Sequence, residues 1–256
     1  MTRVTPLEGV HNFRHFHGYT GLDGACVREG LYRSGHFSRS TEADRAFFER
    51  LGITVVADLR RPRERTLEPS NWPAVEALRV IESDEDDHHE PPHLQFLRKG
   101  DLSPEAVHNY MLSAYRRIPR EAGNQRVFRE GFKALASGEA DAGFLVHCAA
   151  GKDRTGIFCA LVLGELGVDD ETILADYLLT NDAVDFDRLV PAVRERMAGQ
   201  TEKPLSEDAV RTFLGVHPDL LTEAFNTIGG RDAYLRDTLG ITDEERDALR
   251  ARWLAE

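Results

Sequence analysis

The sequence has few of the features that mark secreted, membrane-spanning or disulfide-stabilised proteins. Its 256 residues include only three cysteines, Cys26, Cys148 and Cys159, so no disulfide framework is expected. The opening segment MTRVTPLEGVHNFRHF lacks the apolar core of a secretory signal peptide. The longest mainly apolar run, 156–166, is about half of what a membrane-spanning helix needs. We therefore expect a cytoplasmic protein without stable membrane insertion, which leaves export without a cleavable signal open.

Lysine is also scarce, and the net charge is negative. Four of the 32 basic residues are lysines, and 44 acidic residues give a formal net charge of −12. The electrostatic field of a negatively charged protein repels polyanions, and the sequence has no basic stripe to offset it. No nucleic-acid partner is therefore expected. An anionic ligand must be captured locally, for which the planar guanidinium of arginine is well suited.

Strand and helix signals alternate before residue 150, and helix signals follow. Short β-branched or apolar runs bounded by glycine predict four strands: 27–33, 53–59, 75–81 and 143–147. A capping pair, Thr41 and Asp44, predicts a helix between the first two. Apolar periodicity predicts six later helices: 156–166, 170–180, 187–197, 207–214, 220–228 and 242–254. The pattern indicates an α/β fold, a central sheet flanked by helices with a helical C-terminal half.

The length fits one large domain or two small ones, and we predict a single domain over residues 1–256. The helices of residues 182–229 are joined by the segments GQTEKPLSED and GVHP, and they look like an excursion from the core. We interpret this range as an inserted helical lid. A plain helical subdomain fits the pattern equally well.

The strongest motif is GFLVHCAAGKDRTG, residues 143–156. A buried-strand pattern runs into Cys148, five residues follow, and then come Arg154 and an apolar helix. Cysteine and arginine at this spacing mean little alone. A glycine-containing loop between a strand end and a helix N-terminus, however, can turn its N–H groups inward. The context predicts a cradle for one phosphoryl group or another oxyanion, built from Ala149, Ala150, Gly151, Lys152 and Thr155.

Each polar residue of the motif has a chemical interpretation. Converging N–H groups favour the thiolate of Cys148, which makes it a candidate nucleophile. Arg154 would bind two phosphoryl oxygens and follow the charge of the transition state. The Thr155 hydroxyl can donate to the sulfur and help it leave. Lys152 adds positive charge at the rim, which would suit a second phosphate on the substrate; a solvated lysine is the alternative.

Competing sites fit less well. The motif does not match a nucleotide-binding loop of the pattern GxxxxGK[ST]. Val146 stands at the position of the first glycine, and Asp153 follows Lys152 in place of serine or threonine. Sulfur-transfer enzymes of the rhodanese kind use a shorter loop. Two groups of histidines have no strong metal-ligand spacing: His11, His15, His17 and His88, His89, His93. We expect no metal and no cofactor.

The segment HCAAGKDRTG resembles the signature of cysteine-dependent protein-tyrosine phosphatases. Its Lys–Asp pair narrows the resemblance to the atypical bacterial tyrosine and lipid phosphatases. Further segments agree, so the resemblance covers most of the chain: NFRHFHGY, LYRSGHF, LGITVVADLR and ADYLLTND. It implies a phosphatase α/β fold and a two-step, metal-free hydrolysis of phosphomonoesters through a phosphocysteine. The implied partner is a phosphorylated protein or a phosphoinositide.

The general acid is less clearly marked. Many tyrosine phosphatases carry it on a separate loop after Trp–Pro, but here Ala74 follows Trp72 and Pro73. The Lys–Asp–Arg pattern of the resembled group implies that Asp153 is the acid and later the base. Asp58, at the end of a predicted strand, is a second candidate. Its alternative role is a strand-end cap or a partner for a nearby arginine.

The sequence thus predicts a phosphatase for phosphotyrosine, with action on phosphoserine, phosphothreonine or phosphoinositides left open. Three alternatives stand beside it. Phosphoinositides could be the main substrate, or the cradle could bind phosphate without turnover. Cys148 could also sense peroxide, which is compatible with catalysis because a reactive thiolate is the form that peroxide attacks.

Overall fold

The computed structural model describes residues 3–73, 75, 78–85, 95–97, 101–197 and 206–255. Its strands are β1 (Arg14–His15), β2 (Cys26–Val27), β3 (Leu31–Ser34), β4 (Val55–Asp58), β5 (Arg79–Ile81), β6 (Phe144–His147) and β7 (Leu254–Ala255). Five of them form the central sheet in the order β1-β3-β6-β4-β5, in which only β1 is antiparallel to its neighbour. The remaining two, β2 and β7, pair antiparallel to each other.

Helices cover both faces of this sheet. Within the described residues they are α1 (Glu42–Arg50), α2 (Pro62–Leu67), α3 (Pro104–Arg117), α4 (Ala122–Ser137), α5 (Asp153–Glu165), α6 (Asp170–Ala183), α7 (Phe186–Met197), α8 (Glu207–Leu214), α9 (Pro218–Thr227) and α10 (Asp243–Trp253). Short helical turns occur at Leu22–Gly24, Ile118–Arg120, Arg231–Ala233 and Tyr234–Thr238. None of the helices in these ranges has both the length and the apolar character needed to cross a membrane.

The strand sequences explain why the sheet is buried on both faces. Successive side chains of a strand point to opposite sides. In β6, Phe144 and Val146 join the larger apolar cluster, whereas Leu145 joins a smaller one on the opposite face. In β4, Val55 and Val56 divide in the same way. Parallel strands covered on both faces are expected to be apolar throughout rather than alternating with polar residues.

The α/β architecture predicted from the sequence is confirmed, with local differences. The single strand predicted at 27–33 is two strands, β2 and β3, because the chain turns at Gly30, whose φ is +109°. Of the strand predicted at 75–81, only Arg79–Ile81 is a strand, and residues 74, 76 and 77 lie outside the described residues. The capping box of Thr41 and Asp44 is formed at the start of α1.

The helices of 182–229 have a small apolar cluster of their own, which includes Val190 of α7 and Val210 of α8 and continues into Val107 of α3. These contacts place α8 beside the N-terminal half of α3. Residues 198–205, which connect α7 and α8 in the predicted lid, lie outside the described residues.

Candidate active site

The motif loop, residues 148–152, leaves the carboxyl end of the central strand β6 and enters α5. His147, the last residue of β6, is in register with Ser34 of β3 and Asp58 of β4. The ends of three parallel strands therefore surround the start of the loop. This edge is where ligands bind in open α/β sheets.

Gly151 is required where the loop crosses β3. Its φ of +67° is disfavoured for other residues. A Cβ at this position would lie 2.3 Å from the carbonyl carbon and oxygen of Ser34 and 2.5 Å from the Gly35 nitrogen. Because these are backbone atoms, no side-chain rotation relieves the contact. The close passage brings the loop against the end of β3.

Two carbonyls of the loop are held from behind. Gly151 O accepts hydrogen bonds from Asn12 Nδ2 at 2.7 Å and from Arg33 Nη2 at 2.8 Å. Ala149 O accepts from the His36 backbone N–H at 3.2 Å. In a planar trans peptide the C=O and the next N–H point in opposite directions. The N–H groups that follow these two carbonyls therefore point to the other side of the loop.

Arg33 belongs to a buried charge cluster behind the loop. Arg14 Nε lies 3.1 Å from Asp176 Oδ1, Arg33 Nη1 lies 3.2 Å from Asp176 Oδ2, and the Tyr19 hydroxyl also donates to this carboxylate. Burial by itself raises the pKa of Asp176, but the two arginines outweigh it and lower this pKa. Two guanidinium groups thus share one carboxylate, which leaves an excess positive charge behind the cradle.

Arg154 is oriented by a carboxylate that sequence reasoning missed. Its Nη1 donates to Glu64 Oε2 at 2.6 Å and its Nη2 to Glu64 Oε1 at 2.8 Å, while Nη1 also reaches Leu59 O at 2.8 Å. Burial raises the pKa of Glu64, but Arg154 dominates and lowers it to about 2. Glu64 is visible in the sequence only as the third residue of α2, where it caps the Arg61 N–H.

Asp153 is the first residue of α5 and is held by two tyrosines. The Tyr115 hydroxyl donates to Asp153 Oδ1 at 2.8 Å, and the Tyr177 hydroxyl lies 2.6 Å from that of Tyr115. Asp153 is partly exposed, with 24% of its side chain accessible, whereas both tyrosines are buried. Asp153 can therefore meet a bound molecule from one side while its other side is fixed.

Lys152 differs from its predicted placement at the rim. Only 5% of the residue is exposed, and its ammonium donates to Phe213 O at 2.5 Å and to Gly215 O at 3.0 Å. Nζ also lies 3.6 Å from Asp153 Oδ1. The lysine therefore links the loop to the end of α8. It is therefore buried rather than solvated, and it also lines the cavity in front of the loop.

Cys148 and Thr155 are both buried. Among the described residues the Thr155 hydroxyl has no hydrogen-bond partner, although the atom is buried. Cys148 lines a cavity. The other buried cysteine, Cys159, lies inside α5, and burial raises its pKa to about 12, so it stays a neutral thiol. Cys26 is exposed, and it belongs to β2.

Asp58, the second candidate acid, lies in a separate buried network. Arg60 donates to it from Nε at 3.0 Å and from Nη2 at 2.7 Å, and His147 Nε2 lies 3.6 Å from its Oδ2. Burial raises the pKa of Asp58, but His147 and Arg60 lower it overall. Burial is also the main reason that the pKa of His147 falls to about 4. Asp58 is not among the residues that line the cavity at Cys148.

The cavity in front of the loop has a volume of about 250 Å³. Its floor is formed by the motif, from Cys148 through Ala149 and Ala150 to Arg154. Apolar and aromatic side chains form much of its wall: Tyr110, Met111, Ala114, Ile118, Phe213 and Leu214. Charged side chains complete the lining: Arg61, Glu64, Arg117, Lys152 and Asp153. The cysteine, the arginine and the candidate acid therefore share one concave site.

Within the described residues no group of three or more histidine, cysteine, aspartate or glutamate side chains is arranged to hold a metal ion. Of the two histidine groups noted in the sequence, His88, His89 and His93 lie outside the described residues.

Comparison with known proteins agrees with this geometry. A family model described as "Tyrosine phosphatase family" matches residues 5–255. The chain is 33% identical to the triple specificity protein phosphatase PtpB of Mycobacterium tuberculosis, over 96% of this chain and 98% of that protein. It is 32% identical to a putative tyrosine-protein phosphatase of Cupriavidus necator, over 97% and 88%. It is 26% identical to a tyrosine-protein phosphatase of Nostoc commune, over 91% and 80%.

Proposed function

Because this chain belongs to the tyrosine phosphatase family, we propose that it hydrolyses phosphotyrosine with Cys148 as nucleophile, Arg154 as phosphoryl ligand and Asp153 as general acid and base. One observation carries this proposal. The three side chains line the same cavity, in front of a loop whose N–H groups are turned away from its tethered carbonyls.

The first step transfers the phosphoryl group to sulfur. The Cys148 thiolate attacks phosphorus, the S–P bond forms, and the P–O bond to the phenol oxygen breaks. The proton of Asp153 passes to that oxygen, so neutral tyrosine leaves. The Thr155 hydroxyl, which has no partner among the described residues, is available to the sulfur.

In the second step, water hydrolyses the phosphocysteine and regenerates the thiolate. Water attacks phosphorus, gives its proton to the Asp153 carboxylate, and the P–S bond breaks to release phosphate and thiolate. Arg154 stabilises the charge on the equatorial oxygens in both steps. Glu64 orients the Arg154 guanidinium before the phosphate binds, so less conformational entropy is lost on binding.

An anion is favoured locally despite the overall charge of −12. The inward N–H groups and the N-terminus of α5 supply partial positive charge. Arg14 and Arg33, which share Asp176, add a buried positive charge behind the loop. These features support binding of phosphate or another oxyanion between Cys148 and Arg154.

The walls of the cavity favour an aromatic substrate. Met111, Ala114 and Phe213 offer apolar contact to a phenyl ring above the phosphate. The Lys152 ammonium already donates to two backbone carbonyls, so it is less available for a second phosphate of an inositol ring. The mycobacterial relative is named a triple specificity phosphatase, so phosphoserine and phosphothreonine peptides and phosphoinositides belong in the test.

The test is phosphate release with excess chelator from a phosphotyrosine peptide, the matching phosphoserine and phosphothreonine peptides, and soluble phosphoinositides. We expect turnover of the phosphotyrosine peptide that vanadate inhibits and that Cys148→Ser abolishes. Cys26→Ser, at an exposed cysteine, is the control and keeps its activity. Phosphate binding without turnover would instead support the non-catalytic module. Faster turnover of the phosphoinositides would make lipid the main substrate.

We further propose that the chain is one phosphatase domain in which residues 182–229 form a lid. Phe213 and Leu214 of α8 line the cavity, while Cys148 is only 2% exposed. Removing the Phe213 ring should therefore expose the thiol. We expect iodoacetamide to alkylate Cys148 faster in Phe213→Ala than in the wild type. An unchanged rate in a folded variant would mean that α8 does not control access.

A further inference from the structure

Two tyrosines join the candidate acid to the helices behind it. Tyr115 comes from α3 and Tyr177 from α6, and neither is more than 1% exposed. The Tyr177 ring also lies against the first turn of α5, since a Cβ on Gly156 would be 3.0 Å from two of its ring carbons. The contact with Asp153 is therefore built into the packing of three helices.

The number of protons on the two tyrosine hydroxyls decides which group donates and which accepts in the hydrogen bonds that lead to Asp153. A tyrosine hydroxyl has one proton to donate. Burial, reinforced by the nearby Asp153, raises the pKa of both tyrosines well above the usual value, so both hydroxyls stay protonated. Because Tyr115 donates to Asp153 Oδ1, its oxygen is free to accept the proton of Tyr177.

The contacts distinguish the two oxygens of the carboxyl group. Tyr115 at 2.8 Å and the Lys152 ammonium at 3.6 Å both approach Oδ1. Among the described residues, Oδ2 has neither a hydrogen bond nor an ion pair. We propose that Tyr115, backed by Tyr177, is a positioning residue that holds Asp153 through Oδ1 and thereby presents Oδ2 to the leaving oxygen of the substrate. This inference rests on the proposed function of Asp153.

Such a role has a specific kinetic signature. Proton transfer matters most when the leaving oxygen is strongly basic. Tyrosine has an ordinary pKa of about 10, and phenol is a close analogue of it. A dinitrophenolate leaves without a proton. Misplacing the acid should therefore slow phenyl phosphate and leave 2,4-dinitrophenyl phosphate nearly unchanged, whereas general damage to the site would slow both.

The experiment measures kcat/KM, which reports the first chemical step, for both esters in Tyr115→Phe and Tyr177→Phe. For Tyr115→Phe we expect a fall of about 10- to 100-fold with phenyl phosphate and less than about 3-fold with the dinitrophenyl ester. Tyr177→Phe should change the same ratio in the same direction by a smaller factor, because it removes only the distant hydroxyl. It also provides the test if Tyr115→Phe does not fold.

Tyr234→Phe is the matched control for loss of a buried hydroxyl. Tyr234 is 2% exposed and donates to Pro119 O at 2.6 Å, and it does not line the cavity. It should lower the stability to urea but leave the ratio of the two kcat/KM values unchanged. A ratio that moved equally in this control would overturn the positioning role of Tyr115.

Asp153→Asn separates failure of this inference from failure of the proposed function. If Asp153→Asn shows the leaving-group effect and the folded tyrosine variants do not, the positioning role is wrong and the catalytic assignment stands. If Asp153→Asn shows no leaving-group effect, Asp153 is not the acid, and the tyrosine proposal fails with it. If Cys148→Ser retains turnover, the proposed mechanism itself is wrong.

Discussion

Glu64 and Arg154 form a bidentate ion pair between α2 and the first turn of α5, with N–O distances of 2.6 and 2.8 Å. The Glu64 carboxylate is pinned in turn by the backbone N–H of Arg61, at 2.7 Å. The phosphoryl ligand of the proposed mechanism is therefore oriented before any substrate binds. The ion pair thereby sets the geometry in which the guanidinium of Arg154 meets the phosphate.

We predict that Glu64→Gln lowers kcat/KM for aryl phosphates by about 10- to 100-fold, because one amide oxygen cannot hold both guanidinium nitrogens. The affinity for vanadate should fall as well. Glu68→Gln is the control, since Glu68 directly follows α2, pairs with Arg39 at 3.3 Å and with the His36 side chain at 3.5 Å, and does not line the cavity. Equal kcat/KM values in wild type and Glu64→Gln would show that Arg154 needs no orientation.

We predict that Gly151→Ala abolishes activity and destabilises the fold by more than the roughly 1–2 kcal/mol of backbone strain that a positive φ costs alanine. The additional cost arises from the new Cβ, 2.3 Å from Ser34 backbone atoms. Gly229→Ala is the control, because Gly229 also has a positive φ but no atom within 4 Å of the new Cβ. Equal urea midpoints for the two variants would contradict the steric argument.

We predict that His147 makes the protein lose stability as the pH falls from about 6.5 to about 4. Its pKa is lowered to about 4 by burial, so over this range the unfolded chain binds a proton that the folded chain does not. The contribution of His147 to stability is therefore greatest above pH 6.5 and declines by up to about 1.4 kcal/mol per pH unit, about 3 kcal/mol in total.

The measurement for His147 is the free energy of unfolding in urea from pH 4.5 to 8, for wild type and His147→Gln. Other histidines, such as His11 and His36, also have pKa values lowered by burial, so the wild-type slope contains several contributions. The difference between the two slopes isolates His147. Parallel curves for the two proteins would show that its proton uptake does not oppose folding.

We predict that Asp176→Asn destabilises the protein by about 3–5 kcal/mol, because it leaves the buried Arg14 and Arg33 without their shared carboxylate. Urea unfolding measures this loss. Asp237→Asn removes an exposed partner of Arg236 and should change stability little. A comparably small effect at Asp176 would mean that water or rearrangement neutralises the two guanidinium groups.

The sequence by itself determined the features that depend on neighbouring residues. The strand–loop–helix order of residues 143–156 is as predicted, although the helix begins at Asp153 rather than at residue 156, and the capping box at Thr41 is formed as its sequence indicates. A cap joins residues only three positions apart. Its geometry follows from the helix start itself and needs no information about the rest of the fold.

Only the tertiary structure decided which side chains meet the motif. Glu64 is 90 residues from Arg154, Tyr115 is 38 from Asp153, and Asp176 is 162 from Arg14. Helix packing selects these partners, and a single sequence with many arginines and carboxylates does not reveal which pairs form. Lys152 illustrates the same limit, because its position in the loop indicated an exposed charge, whereas the end of α8 buries it against two carbonyls.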